Sequence, residues 1–294
     1  MATYKTYDTV GIREDLQDAI YDISPTTTPF MSTVGRTKAK NTYHEWQTDS
    51  LADVNLANAQ VEGADAVSAT LAPTTRVGNY TQISDKVIQV STTDDVVDKA
   101  GRSTETAYQL SKASAEIKRD MESILLSDQA QDAGGASKAR KLGGLASWIT
   151  TNTVDTAGGA LTEDMLKEAV LKAYNSGGEP DVLLVSPANK QVVSTFAGIA
   201  EQRYQAPKSS PTTIIGTADV YLSDFGSVKV VPDRFLSDDY SYVLDPSMAS
   251  VAYLRPFKSQ KLAKMGDSEK HLLNVEYTLV VNNEAAHAMM SDET

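Results

Sequence analysis

Between Arg102 and Asp128 apolar residues return at every third or fourth position: Ala107, Leu110, Ala113, Ile117, Met121, Ile124 and Leu125. That is the spacing of one helical face. Gly101 and Ser103 mark the start, and Glu105 stands in the first turn, where the helix dipole favours an acid. At ~1.5 Å per residue the element would reach roughly 40 Å. A second helix is predicted from Leu161, with Thr162 as N-cap, Leu161 and Leu166 as a hydrophobic staple, and Gly177 as the stop. "DVLLV" reads as a short buried strand. Ser186-Pro187 opens another helix, running to Phe196, with proline at its first position.

Further on, period two takes over. "ADVYLSDFGSVKVV" predicts a hairpin turning at Asp224-Phe225-Gly226, and "SYVLD" and "MASVAYLRP" predict strands on either side of Asp245-Pro246. In the last long strand Leu273, Val275, Tyr277, Leu279 and Val281 share one face, and Asn274, Glu276 and Thr278 the other.

The first third behaves differently. Residues 1–37 read as an arm: Gly11 to Ile23 offers a short helix with Ile12, Leu16, Ala19 and Ile20 on one stripe, and Pro25 and Pro29 then impose extended backbone. "SPTTTPFMSTVGRTKAKNTYHEWQTDS" sustains no apolar period, so it should not build a core of its own. Residues 38–92 predict two strands, "NTYHEWQTD" going out and "NYTQISDKVIQVS" returning. About 25 small, acidic residues lie between them, too many for a structureless loop inside a compact body. A projecting hairpin is the expected form, and since an isolated hairpin is marginal in water, another molecule should support it.

The chain has 294 residues, no cysteine, a net charge of −12 and a pI near 4.7. Disulfides and thiolate metal sites are thereby excluded, and so dense an acidic balance argues against gripping nucleic acid. No apolar run approaches the ~18 residues of a membrane span, and "MATYKTYDTVGIREDL" has no signal-peptide core.

Candidate chemistry is sparse. His44, His271 and His287 have no metal-ligand spacing, and no nucleophile elbow occurs. "GGASKARKLGG" carries Lys138, Arg140 and Lys141 without the phosphate-loop order, and reads as a mobile loop. Asp224-Phe225-Gly226 spells a kinase metal motif without the rest of a kinase. Asp94-Asp95 and Asp238-Asp239 read as solvated loop charge. No catalytic, cofactor-binding or metal-binding residue is assigned.

In order along the chain stand "ISPTTTPFMS", "HEWQTDSL", "KLGGL", "VSPANKQVVSTF", "DFGSVKVVPDRFL", "LDPSMASVAYLRPF" and "AKMGDSEKHLLNVEYTLVVNNEAAH". Together they resemble the major capsid proteins of tailed bacteriophages with the Hong Kong 97-type fold, in the branch of the phage SU-ten major head protein. The resemblance implies an α+β fold with an N-terminal arm (1–37) and an extended E-loop (38–92). It also implies a P-domain with a spine helix (93–159), an inserted A-domain (160–236) and a closing β-region of the P-domain (237–294).

By the same resemblance the chain would self-assemble, as hexamers and pentamers, into an icosahedral head around double-stranded DNA. Assembly would take place in the host bacterial cytoplasm. A separate scaffolding protein, a portal and decoration proteins would be its partners. The arm begins almost at Met1, so no cleaved scaffolding segment is expected. No lysine occurs in residues 51–75, so the hairpin tip has no amine for an isopeptide bond. Two rival readings remain at this point, an α/β enzyme without recognisable motifs and a tube-forming or scaffold protein.

Overall fold

A computed structural model of the protein describes residues 26–291, apart from positions 53, 64, 66, 67, 69, 70, 99–102, 157, 197–219 and 265. The helix predicted over 11–23 falls outside these residues.

The chain enters through α1 (Pro29–Thr33) and β1 (Gly35–Lys38), then β2 (Tyr43–Thr48), β3 (Thr75–Tyr80) and β4 (Gln82–Ser91). The short α2 (Thr92–Val96) precedes the long α3 (Glu105–Leu126) and the single turn α4 (Leu145–Trp148). Next come β5 (Thr153–Asp155), α5 (Glu163–Asn175), β6 (Val182–Val185), α6 (Pro187–Val193), β7 (Val220–Ser223) and β8 (Gly226–Pro232). The last strands are β9 (Tyr240–Leu244), β10 (Ala249–Lys261), β11 (Ser268–Val281) and β12 (Ala288–Ser291).

Among the described residues the strands form three sheets, in the orders β1-β10-β11-β4, β5-β12-β9-β6-β8-β7 and β2-β3. The first carries α3 on one face. Ala113, Ile117, Met121, Leu125 and Leu126 of α3 pack with Leu273, Val275, Tyr277, Leu279 and Val281 of β11 in one buried cluster. The predicted stripe and the predicted strand face therefore meet each other. Thr104, one residue later than expected, caps α3 by accepting the Ala107 N–H at 3.4 Å.

The six-stranded sheet is buried on both faces, and its residues alternate between two cores. Val182, Leu184, Tyr242, Leu244 and Met289 join the α3 cluster. Leu183, Val185, Val243, Ala288 and Met290 join a second cluster with Leu166, Ala169, Val170 and Ala173 of α5. This is why "DVLLV" is apolar throughout. Thr162 caps α5 as predicted, and Gly177 stands just past it with φ of 88°.

Several expectations are corrected. The described part of the arm does enter the chain's own core: Phe30, Met31 and Val34 are buried against α3 and β11. Pro29 starts a helix there rather than extending the chain, because its missing N–H costs nothing at a first helical position. The returning strand is two strands: β3 pairs with β2, while β4 crosses to pair with β11. The division at 237 does not follow the sheets, since β9 and β12 flank β6 and β5 in the six-stranded sheet. A central strand as apolar as β6 needs a partner on each edge, and β9 supplies one of them.

α6 ends at Val193, before the expected Phe196. Glu276 and Thr278, expected to oppose the buried face, are themselves buried. The glycine-rich segment after α3 is held rather than loose: Asp132 bridges Lys141, and Gly135 bridges Lys138. A side chain at Gly144 would place its Cβ 2.2 Å from the Ser127 carbonyl oxygen, so only glycine lets this segment close over the end of α3.

Candidate assembly surfaces

The β2–β3 hairpin is firmly rooted and bare at its tip. In register, Tyr43 faces Tyr80, Glu45 faces Gly78 and Gln47 faces Arg76. The Tyr43 and Tyr80 rings lie 4.5 Å apart, and Trp46 packs on Trp148 at 5.3 Å. Arg76 forks onto both oxygens of Glu45 at 2.6 and 2.7 Å. The root itself is polar and buried. Asn79 donates to the carbonyls of Gly143 (3.0 Å) and Leu279 (2.9 Å) and accepts the Gly143 N–H (2.7 Å).

Thr81 ends β3. Its N–H donates to the Thr42 carbonyl at 2.8 Å, and its hydroxyl to Glu276 at 2.8 Å. Glu276, 4% exposed, is also bonded by Arg140 and by Arg255 (2.7 Å). A buried carboxylate is tolerable only when so surrounded. Thr278 adds a bond from its hydroxyl to the Tyr80 carbonyl at 2.8 Å.

Beyond this root, no helix or strand occurs among the described residues between Thr48 and Thr75. Leu51, Val54, Leu56, Val61 and Leu71 are 81–96% exposed. Five such side chains on one projection stand uncovered among the described residues, the pattern of an interaction surface rather than of scattered surface apolars.

A second polar site joins the arm to α3. Glu122 is fully buried and accepts the N–H groups of Phe30 (2.5 Å) and Met31 (3.0 Å). Asp233, also fully buried, faces it while accepting the Phe235 N–H at 2.9 Å. Burial and then the charge of Asp233 push the Glu122 carboxyl up to about 8, and burial raises Asp233 too. Two buried carboxyls this close hold a proton between them at neutral pH. The sequence shows only one cue to this pair, an acid set among the apolar residues of "MESILL". Asp233 is distant along the chain, and so are Asn79 and Glu276 from their partners.

The weighed candidates are dispersed. His44 lies on β2, His271 on β11, and His287 is buried beside Asp245, with burial lowering its pKa. Among the described residues no group of three His, Asp or Glu side chains could hold a metal ion. Asp95 of the Asp94-Asp95 pair is not loop charge: it accepts the Thr106 N–H and hydroxyl at 3.0 Å each, securing the start of α3. Asp239 of the Asp238-Asp239 pair accepts the Ser237 hydroxyl at 2.6 Å. Lys138 pairs with Asp132 and Arg140 with Glu276, so two of the three cations of the basic loop are held in ion pairs. Asp224-Phe225-Gly226 is the β7–β8 turn, with Phe225 stacked on Tyr174.

A family model described as SU10 major capsid protein matches residues 2–294. The chain belongs to this family. A major capsid protein of Escherichia phage Phieco32 is 29% identical over 340 aligned residues, covering 98% of this chain and 96% of that one. A solved structure from Gordonia phage Cozz superposes with a TM-score of 0.64 at 11% identity, over 96% of this chain and 92% of that chain. The capsid structure of Cyanophage P-SCSP1u gives 0.64 at 9% identity, over 96% and 93%. The α+β architecture is the Hong Kong 97-type capsid fold. As a member of the SU10 major capsid family, the protein is a virion component that self-assembles into an icosahedral head shell. No helix among the described residues is long and apolar enough to cross a membrane.

Proposed function

We propose that the β2–β3 hairpin and its tip are the E-loop by which one shell subunit lies across the next. The observation that carries this reading is the contrast between a root buried in hydrogen bonds and five exposed apolar side chains at the tip. Burying a Leu or Val fully is worth about 1.5–3 kcal/mol. Five of them on a neighbour contribute on the order of 10 kcal/mol to holding the hairpin there.

In this reading α3 and the four-stranded sheet form the P-domain, and α5, α6 and the six-stranded sheet form the A-domain. Residues before α1 are the arm. The subunit has no catalytic, cofactor or metal site, and its capsomers are hexamers and pentamers. It encloses double-stranded DNA without sequence-specific contacts. A net charge of −12 suits a wall that must not trap a polyanion through counterion release. Scaffolding, portal and decoration proteins are separate chains, and assembly occurs in the host cytoplasm.

Chymotrypsin at Leu51, Leu56 and Leu71 tests the hairpin assignment. Cleavage should be fast in unassembled subunits and slow in particles. Leu51→Asp with Leu56→Asp should leave subunit stability unchanged and abolish particles by electron microscopy. Normal particles from this double variant would refute the assignment.

A further inference from the structure

Where the arm meets α3, a groove of about 530 Å³ opens between three elements. It is lined by Thr28, Met31, Ser32 and Arg36 from the arm, Lys118 of α3, and Tyr253, Pro256 and Phe257 of β10. Clefts of this size, ~300–1,000 Å³, are large enough to bury a few apolar side chains. The lining combines apolar side chains (Met31, Tyr253, Pro256 and Phe257) with two exposed cations, Arg36 and Lys118. Neither Arg36 nor Lys118 forms an ion pair among the described residues.

The chain that leads into this groove has matching chemistry. Residues 11–23 carry Ile12, Leu16, Ala19, Ile20 and Ile23 on one helical stripe, with four carboxylates (Glu14, Asp15, Asp18 and Asp22) against the single guanidinium of Arg13. In helical projection Asp15 and Asp22 lie beside the stripe and Asp18 lies opposite it. An apolar stripe with acids along one flank complements a groove lined by apolar side chains and two cations. The tether is short as well, because Thr28 lines the groove only five residues after Ile23. Such a link makes binding intramolecular and raises the local concentration of the segment to the millimolar range.

We propose that this groove binds residues 11–23 of the same chain as an amphipathic helix, apolar stripe inward and Asp15 and Asp22 toward Arg36 and Lys118. The docked helix covers Tyr253 and Phe257 and fixes the direction in which the arm leaves the subunit. This placement is independent of how the hairpin tip engages a neighbour.

The absence of cysteine permits a clean disulfide test in the full-length chain. Ile20→Cys and Pro256→Cys, introduced together into unassembled subunits, should form an intrachain disulfide under mild oxidation. Asp18→Cys paired with Pro256→Cys should react at least about tenfold more slowly, a ratio equivalent to ~1.4 kcal/mol of orientation preference. Adding Arg36→Glu and Lys118→Glu should remove the advantage of the Ile20 pair. Leu16→Cys with Pro256→Cys gives an independent reading of the same face. Equal rates for the Ile20 and Asp18 pairs would mean that the segment samples the groove without docking, and would overturn the proposal. A disulfide that joins separate chains would overturn it also, by placing another copy in the groove.

Discussion

Replacing Glu122 by glutamine tests whether the subunit stores a proton between Glu122 and Asp233. The Glu122 carboxyl is held near 8 in the folded chain against an ordinary value of 4.5, chiefly by burial and then by Asp233. Between these two values the folded chain binds more protons than the unfolded chain. The sign follows: this site favours folding most below about pH 4.5, and its contribution declines as pH rises to about 8. One proton limits the slope to about 1.4 kcal/mol per pH unit, so the whole window is worth at most about 5 kcal/mol. Glutamine keeps the shape and can still donate to Asp233, but it has no proton to lose. Its amide N–H groups would also oppose the N–H of Met31, now 3.0 Å from Oε2. The variant should therefore be less stable than the native chain near pH 5, and its stability should change less with pH, so that the two curves converge near pH 8. Urea unfolding of unassembled subunits across that range reads both effects. Parallel pH curves for the two proteins would refute the shared proton.

Other perturbations address the hairpin root and the β11 core. Tyr277→Ala should cost about 3–5 kcal/mol, as large-to-small changes at fully buried aromatics do. Thr278→Ala, because its hydroxyl is buried on the Tyr80 carbonyl, should cost about 1–3 kcal/mol rather than behaving as a surface change; no measurable loss in denaturation would show that bond to be immaterial. Asn79→Ala removes three buried hydrogen bonds and should cost on the order of 3–5 kcal/mol, with faster hydrogen exchange along β3 than along β11. Mature particles should dissolve to single chains on a denaturing gel, because residues 51–75 contain no lysine; a ladder mapped to the hairpin would contradict this.

What could be read from the sequence was what repeats locally. α3, α5 and the inward face of β11 announced themselves through spacing; β11 buries every residue its period named, and α3 buries Ala113, Ile117, Met121 and Leu125 while Ala107 at its start stays exposed. The break between β3 and β4 did not, because no glycine or proline marks it at Tyr80, Thr81 and Gln82. It is set by bonds from Thr81 to Thr42 and Glu276, which exist only once distant strands have met. α2 was invisible because five residues are too few for a helix to form on its own. Asp95, the next-to-last residue of α2, looked like loop charge until α3 presented Thr106 to it. The Glu122–Asp233 pair was hidden for the same reason: its chemistry is a meeting of residues that sequence keeps apart. The hairpin tip was legible through its poverty, since a run with so few large side chains has nothing to bury at home.

The six-stranded sheet gives the subunit a mechanical character. Successive residues of β6 and β9 point into different cores, so neither lobe can slide or loosen without pulling on the other. Such a body answers load as one stiff plate. A closed icosahedral surface, however, asks identical chains to sit at unlike angles to their neighbours. The compliance must then reside in the slender hairpin that runs beyond Thr48. Curvature of the shell becomes a property of its straps, and the plates between them stay alike.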